Sequence, residues 1–151
     1  MTIKEIEKYA KSIGLFGEFG YPFIGCLYMS FGEPYKSTVL YYPGDKRKRI
    51  YISKTLMWRK SNSGHIYFES NDFPNDGKIH KMNDYYPSYM LSDTNGIINA
   101  LNNLGVAYKR CLIEIKKNCI EKDFSNEEWS KTIQDKLNEI EKDLKWLLIK
   151  Q

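Results

Sequence analysis

Cysteine, histidine and arginine are all scarce in this chain of 151 residues, which holds 3 Cys, 2 His and 4 Arg. Cys26, Cys111 and Cys119 are odd in number and form no CxxC pair, which argues against a disulfide framework or a cysteine zinc site and predicts reduced thiols in a packed core. No apolar run approaches the roughly 18 residues of a membrane helix. The first residues set Lys4 and Lys8 among scattered apolar positions rather than in a continuous hydrophobic segment, so the expected location is the cytoplasm. There is no G-x-S-x-G elbow, no calcium-loop alternation, and no Walker lysine behind the glycines of residues 14–20. Neither a cofactor nor a metal is expected.

Lysine, isoleucine, asparagine and tyrosine are abundant, a bias that AT-rich genomes produce. At this length a single domain, residues 1–151, can bury a core without metal or disulfide support. The punctuation predicts an α+β arrangement of a short N-terminal helix, an antiparallel β-meander of about four strands, and an antiparallel hairpin of two long helices.

For the first helix, residues 2–13, Thr2 and Glu5 have the spacing of a capping box, and Ile3, Ile6, Ala10 and Ile13 form one apolar stripe. Gly14, Gly17, Gly20 and Pro22 end it in a loop whose Leu15, Phe16 and Phe19 still need burial. Residues 23–70 carry four β-branched and aromatic runs, at 23–30, 36–42, 49–54 and 65–70. In the third, Ile50 and Ile52 oppose Arg49, Tyr51 and Ser53, and in the fourth Ile66 and Phe68 oppose His65, Tyr67 and Glu69, which predicts one buried and one wet face. The stretch 55–61 fits either a strand extension or a bulged edge. Residues 71–91, with Pro74, Gly77 and Pro87, read as a long surface loop.

In residues 92–150, Ile97, Leu101, Leu104, Tyr108, Cys111, Ile115 and Cys119 recur at helical spacing, as do Ile133, Leu137, Ile140, Leu144 and Leu147. Asp93 or Ser92 can cap the first helix, and Ser125 with Glu128 makes a capping box for the second. Ile98, Leu112, Trp146 and Leu148 lie off these seams, which leaves apolar surface for the sheet or for a homo-oligomer contact through the C-terminal helices.

Residues 36–60 hold eight cations against Asp45 alone, a local balance of +7 inside a chain whose total is +4. Aromatic side chains are interleaved with them. Arg47, Lys48, Arg49, Tyr51, Trp58, Arg59 and Tyr67 are therefore the candidate ligand-binding residues, since basic surface with exposed rings neutralises phosphates and stacks bases. The competing account is a charged hairpin tip and edge lysines that block aggregation. Phe73, Tyr85, Tyr86 and Tyr89 form a candidate partner-contact cluster, because tyrosine offers large area at low entropic cost; packing across the sheet-to-helix junction is the alternative.

His65 and His80 could serve as acid and base on a phosphodiester only if they converge on one substrate, and Tyr67 and Met82 stand where two-histidine phosphoesterases place Ser or Thr. Asp72, Asp76, His80 and Asp84 recur every four residues, yet Pro74 and Gly77 interrupt any helix that would align them. The expectation is a non-enzymatic binding protein engaging a nucleotide, RNA or DNA through the basic, aromatic sheet face. A phage-encoded inhibitor of a host system fits this profile. The alternative is a protein-interaction module or inhibitor acting through the helical hairpin and residues 73–89; a small histidine-dependent phosphoesterase is the remote third.

Overall fold

A capping box opens the chain: in the computed structural model, Thr2 Oγ1 accepts the Glu5 N–H at 3.2 Å and Glu5 Oε1 accepts the Thr2 N–H at 3.3 Å. The structure describes residues 1–32, 37–123, 138–139 and 141–142. Behind the cap runs α1 (Ile3–Ser12), which buries Ile6 and Ala10 completely and ends at Ile13. The bonds from Thr2 also hold the Glu5 carboxyl below its ordinary range, because they favour the charged form.

Six short strands follow: β1 (Leu27–Met29), β2 (Leu40–Tyr42), β3 (Arg49–Ile52), β4 (Met57–Lys60), β5 (Ile66–Glu69) and, after the single-turn α2 (Met82–Tyr85), β6 (Ser88–Met90). All their pairings are antiparallel, and they form two sheets: β1-β2-β3-β6, and the separate hairpin β4-β5. Helix α3 (Thr94–Asp123) completes the described order. The fold is thus α+β with an N-terminal helix, antiparallel sheets and a long C-terminal helix.

Three sequence expectations change. The run at 65–70 does not continue the meander; Met57↔Glu69 through Lys60↔Ile66 is the register, so the ambiguous 55–61 stretch supplies its partner strand. Residues 71–91 are not all loop, since Ser88–Met90 forms the sheet's outer strand beside β3. Nor is the outer face wet at Tyr51, which is 5% exposed although it alternates with Ile50 and Ile52. Its strand lies between β2 and β6, and the Tyr41 ring stacks beside it at 6.1 Å between centroids.

The register explains both faces. Leu27, Met29, Leu40, Ile50 and Ile52 lie on one side and are buried, and with Ile6, Ala10, Ile97, Leu101 and Leu104 they make the core. Tyr28, Tyr41 and Tyr51 fall in line on the other side, with Tyr28 and Tyr41 centroids 4.9 Å apart. Burial, then the hydrogen bond with Tyr28, pushes the Tyr41 hydroxyl up to about 12.

The chain divides into two compact units, Met1–Gly105 and Val106–Gln151. In the first, Asp93 caps α3 by accepting the Gly96 N–H at 3.0 Å, and Tyr9 Oη donates to Asn102 Oδ1 at 2.5 Å. In the second, Val106, Cys111 and Ile113 are buried and Lys117 pairs with Glu141 at 3.1 Å. Burial raises the Cys111 thiol to about 11. Cys119, expected in the core, is exposed. The expected second long helix lies outside the described residues except at 138–139 and 141–142, as do the Ser125/Glu128 cap and the off-seam Trp146 and Leu148. Among the described residues no helix is long and apolar enough to cross a membrane.

Candidate functional site

Residues 70–86 are tied down at both ends by side-chain bonds to neighbouring segments. Asp72 accepts the backbone N–H of Lys54 at 2.8 Å, that of Thr55 at 3.0 Å, and the Thr55 hydroxyl. It thereby closes the base of the β4-β5 hairpin. Ser53 Oγ and Ser70 Oγ meet at 2.6 Å beside it. At the other end the buried Tyr86 donates its hydroxyl to the Thr38 carbonyl at 2.6 Å, and burial raises its pKa.

Between these anchors the segment folds on aromatic contacts. His80 lies parallel to Phe73 (6.3 Å, 12°) and edge-on to Tyr85 (4.9 Å, 78°), and Phe73 also meets Tyr86 at 5.1 Å. His80 Nε2 lies 2.7 Å from Asp76 Oδ1. The bond from His80, aided by the Lys78 N–H, holds the Asp76 carboxyl below its ordinary range. Aromatic pairs of this kind contribute roughly 0.5–1.5 kcal/mol each beyond the area they bury.

A cleft of about 570 Å³ opens against this segment. Ser70, Phe73, His80, Met82 and Tyr86 line it from the segment, Glu69 from β5, Ser37 and Thr38 from the residues ahead of β2, and Pro22, Phe23 and Tyr28 from residues 22–28. Pro22 and Phe23 belong to a loop braced by backbone bonds, Gly20 N–H to the Cys26 carbonyl (2.8 Å), Cys26 N–H to the Phe23 carbonyl (3.1 Å) and Tyr21 N–H to the Glu18 carbonyl (3.2 Å). Gly17 is required beneath it, because at φ 148° a Cβ would strike the Tyr28 carbonyl oxygen.

The rim is apolar and exposed. Phe23 is 59% exposed and Ile79, from the other lip, is fully exposed. Ile24 (97%) and Tyr21 (64%) extend that surface along the same loop. Four polar side chains of the lining are occupied internally: Glu69 pairs with Arg59, Ser70 with Ser53, Tyr86 with the Thr38 carbonyl and His80 with Asp76. Among the described residues no buried side-chain polar atom lacks a partner.

The candidate basic site is dispersed over different elements. Arg47 and Lys48 are exposed on the β2-β3 connection, where Arg47 Nε contacts Asp45 at 3.3 Å and Lys48 adopts φ 50°. Arg49 turns to Ser88 Oγ at 3.1 Å, and Tyr51 is buried. Trp58, half-buried opposite Phe68, and Arg59, opposite Tyr67, belong to the hairpin. Tyr67 lines a second cleft of about 630 Å³ together with Ser61, Ser63 and His65. The two histidines thus line separate clefts.

Phe73, Tyr85 and Tyr86 of the candidate contact cluster do converge, with Phe73 meeting both tyrosines and His80, while Tyr89 occupies the β6 position opposite Ile50 on the core side. Burial there, and then the Asp93 charge, raise the Tyr89 hydroxyl's pKa. Asp72 faces the hairpin base rather than His80, and among the described residues no group of three or more His, Cys, Asp or Glu side chains converges to hold a metal. Sequence reasoning missed Phe23 and Ile79. A signal existed: Ile79 is an isolated apolar residue in a polar loop, and the glycine-punctuated residues 16–24 hold five large apolar side chains.

Compared with known proteins, the chain matches no family model, no curated protein and no solved structure.

Proposed function

We propose that this is a non-enzymatic binding module that recognises a partner protein through the cleft between residues 22–28 and 69–86. One observation carries the reading: two loops more than fifty residues apart present Phe23 and Ile79, both solvent-exposed, on the lips of one cleft. Exposed apolar surface gathered around a concavity marks an interaction site, whereas single scattered residues do not. Full burial of two such side chains is worth roughly 3–6 kcal/mol before the costs of association. The lining suits an apolar guest because Glu69, Ser70, His80 and Tyr86 already have partners. The test is peptide selection from a random displayed library on the intact protein and on Ile79→Asp. Recovery of peptides with an aromatic or branched anchor that fail to bind the variant supports the reading, and peptides indifferent to it refute it.

A second reading, an anionic ligand at the basic residues, is favoured by the exposure of Lys46, Arg47 and Lys48 on one connection. It ranks below the first because Tyr51, the aromatic two residues beyond Arg49, is buried and so offers no open face for base stacking.

A further inference from the structure

We propose that the second cleft, of about 630 Å³, binds a neutral sugar through the hydroxyl groups of Ser37, the Ser61–Ser63 pair and Tyr67. This site is independent of the protein-binding reading of the first cleft. There, Glu69, Ser70, His80 and Tyr86 already have partners. In the second cleft the polar side chains keep open hydrogen-bonding capacity. Ser37 is only 8% exposed, yet its hydroxyl has no hydrogen-bond partner among the described residues. Every sealed side-chain polar atom among those residues does have one, so the Ser37 hydroxyl opens to the space that it borders, where the two clefts share it as a lining residue.

Ser61 and Ser63 present a further group from the β4-β5 hairpin. Their hydroxyl oxygens meet at 2.9 Å, and Ser61 Oγ also accepts the His65 N–H at 3.1 Å. Whichever serine donates to the other, one hydroxyl hydrogen of the pair is left over, because the two side chains make no other bond among the described residues. The Tyr67 hydroxyl and the His65 imidazole likewise have no partner there. Hydroxyls that both donate and accept, set on the hairpin and on the residues ahead of β2, match a ligand whose own hydroxyls do both. Phe31 lines the same cleft, and the exposed Ile66 and Tyr67 offer apolar surface to the C–H face of a sugar ring. The volume is that of small-molecule sites, roughly 300–1,000 Å³.

Charge decides for a neutral ligand. Among the described residues no Lys, Arg, Asp or Glu lines the cleft. Arg59, opposite Tyr67, is held by Glu69, and the exposed Lys60, opposite Ile66, stands outside the lining. A phosphate or carboxylate would enter without a cation in the lining to neutralise it.

The test presents the labelled intact protein to a printed array of neutral and acidic glycans. The strongest neutral glycan is then titrated in solution against the unaltered protein, Ser37→Ala, Tyr67→Ala and Ile79→Asp, with circular dichroism confirming that each is folded. Ser37→Ala removes a hydroxyl that bonds nothing in the protein, so its urea midpoint should be unchanged while its affinity falls roughly three- to tenfold. Tyr67→Ala should abolish measurable binding, and Ile79→Asp, at the lip of the other cleft, should leave it unchanged. An array that retains the protein on no neutral glycan, or only on acidic glycans, overturns the proposal. Neutral-glycan binding that survives Tyr67→Ala or is unaffected by Ser37→Ala overturns it too. Adenosine, which shares the sugar hydroxyls, would assign the cleft to a nucleoside and also overturn it by binding more tightly than every neutral glycan in a Tyr67-dependent manner.

Discussion

Replacing Asp72 with alanine tests whether one carboxylate positions the segment that builds the cleft. The change removes the acceptor for the Lys54 N–H, the Thr55 N–H and the Thr55 hydroxyl. Bonds to a charged acceptor contribute about 1.5–3 kcal/mol each when buried. Here the site is partly exposed and the freed donors regain water, so about 1 kcal/mol per bond, or roughly 2–4 kcal/mol in all, is the expected loss. That corresponds to a melting temperature lower by about 5–12 °C. Asp72→Asn retains one acceptor oxygen and should lose about half as much. Urea unfolding followed by tryptophan fluorescence gives the stability, and hydrogen exchange gives the location: the Lys54 and Thr55 amides should lose protection first. Stability within about 0.5 kcal/mol of the unaltered protein, the range of an ordinary surface change, with both amides still protected, would refute the reasoning.

Four other outcomes are expected. The carboxyl resonance of Asp76 should titrate below its ordinary value of 3.8, because His80 and the Lys78 N–H favour the charged form. Its contribution to stability is then present above 3.8 and lost as pH falls through the lowered midpoint; a midpoint at or above 3.8 contradicts this. Lys48→Gly should raise the urea midpoint by an amount worth roughly 0.5–1 kcal/mol, because φ 50° is strained for lysine and free for glycine, and an unchanged midpoint contradicts it. Gly17→Ala should cost more than about 2 kcal/mol through the collision with the Tyr28 carbonyl, and a neutral effect would show that the loop relaxes. A thiol reagent at mildly alkaline pH should modify Cys119 well before Cys111, which is buried and has a raised pKa; equal rates by mass spectrometry contradict this assignment.

The elements legible in the sequence are those specified by local chemistry. Thr2 and Glu5 cap α1, Asp93 caps α3, and Ile50 and Ile52 point to the core as their alternation requires. Of the stripe predicted for α3, Ile97, Leu101, Leu104 and Cys111 are buried and Tyr108 is half-buried, while the burial of Val106 and Ile113 lies off it. What escaped depends on contacts distant in the chain. Ser88–Met90 is three residues, too short to display a period, and becomes a strand only beside β3. Tyr51 looks solvent-facing by alternation and is covered because its strand is central. The aromatic cluster was visible as Phe73, Tyr85 and Tyr86, but Phe23 and Ile79 meet across a cleft that only the tertiary fold creates.

The most direct test of the cleft reading is methyl and amide NMR of the intact protein titrated separately with p-cresol, a stand-in for a tyrosine side chain, and with inorganic pyrophosphate. Saturable shifts at the Ile79 and Met82 methyl groups with p-cresol, absent in Ile79→Asp, are the predicted result. Saturable shifts confined to the amides of Lys46, Arg47 and Lys48 with pyrophosphate, and none at the cleft with p-cresol, would contradict it and return the site to the basic connection.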